Sequence, residues 1–158
     1  MNLKLTIALL ASLQLIAAAH AGADRFGVTF VPGAAGRAQI KKAPQTEGSA
    51  VLDFARNANH WVLLVRRSTP GRAEIHTVLT DVWYVIDGSG TLVTGGKAVN
   101  VKATASNELR GSGISGGIAR HIGKGDIVDI PAGVPHWVSK IDGKELVYLT
   151  VKVATPKH

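Results

Sequence analysis

The sequence predicts an all-β protein, and two observations support that prediction. Between residues 60 and 153, short runs rich in β-branched and aromatic residues alternate with turns containing Gly or Pro at regular spacing. This pattern is typical of a sandwich or barrel. The chain also lacks an internal repeat and a long amphipathic helical pattern. We therefore expect one all-β domain built around one hydrophobic core.

Residues 1–21 have the features of a signal peptide. Lys4 places a positive charge near the N-terminus. The apolar stretch over residues 5–19 is shorter than the roughly 20 residues that a membrane-spanning helix needs. Ala19-His20-Ala21 fits a small-x-small cleavage pattern. We expect an exported protein, periplasmic or extracellular, whose mature chain begins near Gly22 and has no membrane span. An uncleaved anchor is the alternative.

The rest of the chain divides into three predicted parts. Residues 22–59 form an N-terminal arm, because much of this region is rich in Gly, Ala, Pro and Lys without periodicity; its segment Val51–Asn57 fits a short helix or a strand equally well. Residues 60–153 form the barrel, and residues 154–158 form a C-terminal tail. The predicted barrel strands are His60–Arg66, Ala73–Val78, Val82–Ile86, Thr91–Thr94, Ile118–Ile122, Ile127–Ile130 and Leu146–Val153.

Two connections within the predicted barrel are informative. Asp87-Gly88-Ser89-Gly90 is a strong signal for a hairpin between the strands on either side. Residues 103–117 are rich in Gly and Ser and predict a loop that contains Glu108 and Arg110. The final apolar run, Leu146–Val153, fits a buried strand or the outer strand of a homodimer.

Composition narrows the possible functions. The chain has no cysteine, so an exported domain would be held together by its core without disulfides. The net charge is +7, but the basic residues are scattered and aromatic residues are few. A nucleic-acid partner requires a basic stripe with interleaved aromatic residues, so we predict a soluble basic surface and no nucleic acid. The sequence also lacks a Gly-x-Ser-x-Gly elbow, a Walker-type loop and an HExxH helix.

Two histidine-bearing segments carry the candidate chemistry. Glu74 and His76 are two residues apart on one predicted strand, so their side chains share a face. Asp81 opens the next strand, and His136 follows the corner Pro131–Pro135. Two imidazoles and two carboxylates that converge in a barrel suit a divalent metal, namely Fe, Mn, Zn or Ni. In the alternative, no metal binds and the histidines hydrogen-bond to each other or to these carboxylates.

The spacing of these segments resembles that of the cupin superfamily. The first cupin motif is matched by Gly71, Glu74-Ile75-His76, four residues, Asp81, six residues and Gly88, with Glu74 in place of the family's first histidine and Asp81 in place of its glutamate. The second is matched by Gly125, five residues, Pro131-Ala132-Gly133, two residues and His136; Lys140 takes the place of the usual asparagine. The resemblance implies a jelly-roll β-barrel with a divalent metal in its mouth.

Further candidates border the same predicted pocket. Trp83 has the parity of Asp81 and should face the interior, as a wall for a ligand or as core packing. His121 would add a third imidazole if it faced inward, or lie on the surface. Arg110 would bind an acidic group of a substrate, or form a surface ion pair.

These residues leave three functions open. The first is a metal-binding protein, with oxidation, isomerisation or lyase chemistry on a small oxygenated molecule if it is an enzyme. The second is a non-catalytic barrel that binds a small-molecule ligand. The third is a structural envelope protein without metal. A fold of this kind is compatible with all three.

Overall fold

The structure is a computed structural model that describes residues 23–155. The predicted signal peptide, residues 1–21, and most of the predicted tail lie outside the described residues. Within the described range, no helix combines the length and the apolar character needed to cross a membrane.

The described chain contains one helix and eleven strands. The helix α1 covers Gly33–Lys42. The strands are β1 (Ser49–Arg56), β2 (His60–Arg67), β3 (Ala73–His76), β4 (Leu79–Thr94), β5 (Lys97–Val99), β6 (Lys102–Ala105), β7 (Glu108–Gly111), β8 (Gly113–Ser115), β9 (Ile118–Gly123), β10 (Ile127–Ile130) and β11 (His136–Ala154).

Two long strands, β4 and β11, form the central pair of the sheet. They pair antiparallel over nearly their whole length, from His136↔Thr94 to Ala154↔Leu79. On the side of β11 away from β4, residues 146–153 pair with β2, which leads to β1, and His136 pairs with β3, which leads to β7 and β6. Strands β9 and β10 pair with the other edge of β4. The resulting nine-stranded sheet curls around a common interior, and β5 and β8 form a separate two-stranded sheet. The all-β prediction is confirmed.

The predicted hairpin at Asp87–Gly90 is wrong, because β4 runs through these residues without reversing. Gly88 has φ +75°, and a Cβ atom there would collide with the carbonyl oxygen of Glu145. A Cβ atom at Gly90 would lie 2.5 Å from the carbonyl oxygen of Lys140. The glycines therefore let two neighbouring strands bend together at close approach, with register shifts in the pairing.

The predicted loop over residues 103–117 is also replaced by regular structure. Strands β6 and β7 form a hairpin that turns at Asn107, whose φ is +64°. Strand β7 then pairs with β3, which places Glu108 opposite His76 and Arg110 opposite Glu74. Two polar residues expected on a loop are thus fixed beside the predicted metal site.

The predicted N-terminal arm contains two ordered elements. Strand β1 pairs with β2 from Ser49↔Arg67 to Arg56↔Trp61, so the sheet begins before residue 60. Helix α1 lies against this sheet and buries mainly Ile40 and the small Gly36. With so few large apolar residues on its buried face, the helix has little periodicity that a sequence pattern could reveal.

The final strand has no free edge over the run that suggested a dimer. Residues 146–153 pair with β2 on one side and with β4 on the other. This run is therefore an inner strand of the sheet and does not offer backbone groups to a second copy. A homodimer stays a prediction without this segment as its interface.

The main core fills the barrel behind the site. It includes Leu63, Val85, Leu146 and Tyr148, all buried, and Tyr148 stacks on Trp83 with ring centroids 4.2 Å apart. A smaller cluster between the sheet and α1 contains Ile40 and Leu64. The barrel walls therefore rest on apolar packing, which holds the polar groups at the mouth in place.

Strand β10 offers a matched test of this core. Ile130 is 2% exposed and packs in the main core, whereas Ile127 on the same strand is 73% exposed. We expect Ile130→Ala to lower the free energy of unfolding by about 2–5 kcal/mol, measured by urea denaturation. Ile127→Ala should change it by less than about 0.5 kcal/mol. Equal effects of the two substitutions would contradict this packing.

Candidate metal centre

Two segments about sixty residues apart in sequence meet at the mouth of the barrel. His136, the first residue of β11, pairs with Glu74 on β3. The backbone N–H of Gly133 donates to the carbonyl oxygen of His76 at 2.8 Å, which joins the turn before β11 to the end of β3. The ring centroids of His76 and His136 lie 5.1 Å apart. The two imidazoles therefore share one pocket.

His136 presents an unpaired nitrogen to this pocket. Its Nδ1–H donates to the carbonyl oxygen of Val134 at 3.1 Å, which leaves the lone pair on Nε2. The Nε2 atom is buried and has no hydrogen-bond partner among residues 23–155. Burial lowers the pKa of His136 below its ordinary value of 6.5, so the neutral ring is favoured. A buried polar atom without a partner costs free energy unless a ligand binds it.

His76 is oriented by Glu108. Its Nδ1 lies 2.7 Å from Glu108 Oε2 and donates to that carboxylate, so Nε2 faces the pocket. Burial lowers the pKa of His76, but the nearby carboxylates of Glu108 and Glu74 outweigh burial and raise it. A carboxylate that accepts a hydrogen bond from one ring nitrogen of an imidazole fixes the tautomer and makes the other nitrogen a better metal ligand.

Glu74 supplies the carboxylate nearest to both rings. Its Oε2 lies 3.5 Å from His76 Nε2, and its Oε1 accepts from Arg67 Nη2 at 2.5 Å. Burial alone would raise the pKa of Glu74, but the His76 hydrogen bond and the charges of Arg67 and Arg110 hold it well below its ordinary value. Glu74 is therefore ionised at neutral pH.

Asp81 lies at the same site but is bound to a lysine. Both of its carboxylate oxygens accept from Lys152 Nζ at 2.7 Å. Its Oδ2 also accepts from Trp83 Nε1 at 3.3 Å and lies 3.5 Å from His76 Nε2 and 4.0 Å from His136 Nε2. Asp81 is close to both imidazoles, and each of its oxygens already accepts a hydrogen bond from a cation.

The residues present fit a divalent metal. One ligand atom each from Glu74, His76 and His136 lie within 4.8 Å of one another. Two imidazole nitrogens and an ionised carboxylate form a ligand set that first-row divalent metals favour. The buried, unpartnered Nε2 of His136 is the atom that such a metal would satisfy.

A large cavity opens in front of this centre. Its volume is about 1100 Å³, and Glu74, His76, Asp81 and Lys152 lie along it. The predicted wall Trp83 borders it, with Trp61, Leu63 and Val65 as further apolar surface. The predicted Arg110 also lines the cavity and donates to Glu108. Thr150 Oγ1 on the same lining is buried without a hydrogen-bond partner in the described part of the chain.

The remaining predicted residue, His121, does not reach the centre. Its side chain is 68% exposed, and its Nε2 lies 3.0 Å from Asp142 Oδ2. Residues 118–121 of β9 are all exposed. Strand β9 is an edge strand that pairs only with β4 among the described strands. The imidazole of His121 therefore lies in solvent and outside the barrel interior.

Sequence reasoning missed three residues that hydrogen-bond to the candidate metal ligands. Arg67 contacts Glu74, and Glu108 and Lys152 contact His76. Lys152 left a usable signal, since it interrupts the apolar run Leu146–Val153 with the parity of Tyr148 and Thr150. A lysine at an inward position of a buried strand requires a partner. Glu108 left none, because the pairing of β7 with β3 was not visible in the pattern.

The hydrogen bond between Glu108 and His76 makes a testable prediction for the metal-free protein. Glu108→Gln removes the carboxylate charge, so the pKa of His76 should fall, as followed by imidazole NMR during a pH titration. Glu145→Gln is the matched control, because Glu145 pairs with Arg66 instead. An unchanged His76 pKa in Glu108→Gln would contradict the contact.

The contributions of the two histidines to the free energy of unfolding should depend on pH in opposite directions. His76 has a raised pKa, so its contribution is complete below the unfolded-state pKa and is lost as pH rises through the folded-state value. His136 has a lowered pKa, so its contribution is complete above the unfolded-state pKa and is lost as pH falls through the folded-state value.

Comparison with known proteins supports the fold. No protein-family model and no curated protein matches the chain. Among solved structures, a Klebsiella pneumoniae protein with a double-stranded β-helix domain is similar with a TM-score of 0.52 at 15% identity, over 75% of this chain and 88% of that one. A Thermus thermophilus protein is similar with a TM-score of 0.51 at 16% identity, over 71% and 89%. Streptomyces PAC13, solved with uridine, has a TM-score of 0.50 at 9% identity, over 75% and 82%. The chain therefore has a double-stranded β-helix fold.

Proposed function

We propose that this protein binds one divalent metal ion through Glu74, His76 and His136. The observation that supports this most directly is the buried Nε2 of His136, which has its lone pair directed into the pocket and no partner in residues 23–155. The metal, whether Fe, Mn, Zn or Ni, would leave coordination positions open on the side of the cavity.

A bound metal would supply Lewis acidity toward an oxygen atom of a small molecule. The protein's own residues would prepare the site for that ligand. Glu108 holds His76 in the tautomer that exposes Nε2. Arg67 holds Glu74 and donates from Nε to Tyr148 Oη at 3.0 Å. Burial raises the pKa of Tyr148, which keeps the phenol neutral in this position.

The charges at the centre favour an anionic oxygen group in the ligand. Three carboxylates, on Glu74, Asp81 and Glu108, are each paired with a cation. Those cations are Arg67, Lys152 and Arg110. A divalent ion would add two positive charges to this balanced set. A carboxylate or enolate oxygen would offset that surplus, and the apolar walls would contact the rest of a small oxygenated molecule.

If the protein is an enzyme, oxidation, isomerisation and lyase chemistry are all compatible with this arrangement. Each requires a metal-polarised oxygen and a group able to move a proton nearby. Glu108, hydrogen-bonded to His76 and 22% exposed at its side chain, lies on the cavity lining and is the candidate for that group.

A second function, a metal-free barrel that binds a small ligand, is favoured by one observation. Lys152 Nζ lies 2.8 Å from His76 Nε2, so this nitrogen has a partner without any metal. The unpartnered hydroxyl of Thr150 and the apolar cavity wall would then bind the ligand directly. Ligand-induced thermal stabilisation that persists in chelator would favour this function.

We also propose that the protein is exported to the periplasm or the extracellular medium. The support is Lys4, the apolar residues 5–19 and the cleavage pattern Ala19-His20-Ala21. A mature form whose intact mass begins near Gly22 would test this, and a chain that retains residues 1–21 after expression with its native leader would contradict it.

The metal proposal predicts the behaviour of histidine variants. Purified wild-type protein should bind close to one equivalent of metal, measured by elemental analysis and by calorimetric titration. His76→Ala and His136→Ala should each weaken binding by at least about 100-fold, because each removes one of three protein ligands.

His121→Ala is the matched control, since this imidazole is exposed and paired with Asp142. It should leave the affinity for metal unchanged. An affinity that is equally reduced in all three variants would indicate non-specific binding to surface imidazoles and would contradict the proposed centre.

A further inference from the structure

Lys152 occupies the position of a cation within the candidate centre. Its Nζ lies 2.7 Å from both carboxylate oxygens of Asp81 and 2.8 Å from Nε2 of His76. Its side chain is only 12% exposed. The ammonium group is therefore surrounded by the same kinds of atom, carboxylate oxygen and imidazole nitrogen, that bind a metal.

The contact between Lys152 and His76 uses the lone pair that a metal would need. His76 Nδ1 donates its proton to Glu108, so Nε2 carries the only lone pair in the plane of the ring. That lone pair accepts a hydrogen bond from Lys152 or binds a metal ion, but it cannot do both. A metal held by Glu74, His76 and His136 thus requires Lys152 to release His76.

The other cations at the centre do not compete in this way. Arg67 and Arg110 lie on the carboxylates Glu74 and Glu108. A carboxylate has several lone pairs, so Glu74 can keep Arg67 and still offer an oxygen to a metal. Of these three cations, Lys152 alone is hydrogen-bonded to an imidazole nitrogen within residues 23–155.

We propose that Lys152 is a tethered cation that competes with the metal for His76 and so determines the metal affinity of this barrel. The proposal rests on the metal site proposed above. Without metal, the ammonium satisfies His76 Nε2 and neutralises Asp81. When metal binds, the flexible side chain moves away from His76 into the adjoining cavity, which it already lines, and electrostatic repulsion between the two cations favours that movement.

Asp81 determines what happens when the lysine charge is removed. Asp81 Oδ2 lies 3.5 Å from His76 Nε2 and 4.0 Å from His136 Nε2. Without the ammonium, its carboxylate is a buried anion with no paired cation, which strengthens the attraction for a metal. Replacement of Lys152 should therefore release a nitrogen ligand and an anionic oxygen together.

The test compares Lys152→Gln with wild type in calorimetric titrations with Zn²⁺ and Mn²⁺. Glutamine retains an N–H donor for Asp81 but removes the charge. We expect at least about a tenfold gain in affinity, the change that corresponds to one charge-assisted hydrogen bond lost by the competitor. Lys140→Gln is the matched control, because Lys140 lies on the same strand with a 70% exposed side chain and pairs with Asp142; it should leave affinity unchanged.

The double variant Asp81→Asn with Lys152→Gln guards against misfolding, because it removes the ion pair as a whole. It should bind metal more tightly than the single variant Asp81→Asn, since His76 is released. Circular dichroism and urea denaturation would establish that each variant used in a titration is folded.

The outcomes separate this inference from the metal proposal. Tighter binding by Lys152→Gln than by wild type supports the inference. Binding by Lys152→Gln but not by wild type also supports it, while it overturns the metal function of the natural protein. Equal or weaker binding by both Lys152 variants than by their Lys152 parents overturns the inference and leaves the metal function standing. No binding by wild type or any variant overturns both.

Discussion

The candidate centre depends on one local pairing, between the end of β3 and the turn that leads into β11. The register His136↔Glu74 and the hydrogen bond from Gly133 N–H to the carbonyl oxygen of His76 join segments that are far apart in sequence. Because both segments are also parts of the curled sheet, the core fixes their separation. Without this pairing, the two imidazoles would have no common pocket.

Given that pairing, electrostatics explains most of the remaining arrangement. Burial of three carboxylates is costly unless each has a partner, and each is paired here with a cation. Two further contacts orient the imidazoles, since Glu108 fixes His76 and a backbone carbonyl fixes His136. The network is balanced without a metal, but it still leaves His136 Nε2 without a partner in the described residues. A divalent metal would satisfy that atom, and it would have to displace Lys152 from His76.

The sequence predicted the fold class and the convergence of His76 and His136, for a physical reason. Strand periodicity and Gly or Pro turns are local properties, and the two histidine segments carry spacing that resembles the cupin superfamily. The hairpin at Gly88 was wrong because a glycine pair also permits two strands to bend at close approach, and this choice depends on the neighbouring Glu145 and Lys140. Helix α1 was missed because little of its surface is apolar.

The neighbours of the histidines were harder to predict, because their positions depend on strand pairing. Glu108 was assigned to a loop, but the pairing of β7 with β3 places it on His76. His121 has the right residue type, but β9 lies along the open side of β4 and exposes it. Lys152 was visible as a charge in an apolar run, yet only the register Lys152↔Asp81 reveals its partner. Residue identity indicated the kind of chemistry, and register decided which residues take part.

A crystal structure of the wild-type protein grown with Zn²⁺, with anomalous data collected at the zinc edge, tests the central claim most directly. The account predicts one strong peak bonded to Glu74, His76 Nε2 and His136 Nε2 at about 2.0–2.2 Å, with Lys152 Nζ no longer in hydrogen-bond contact with His76. A fully metal-loaded crystal in which the zinc lies elsewhere, while Lys152 keeps its contact with His76, would contradict it.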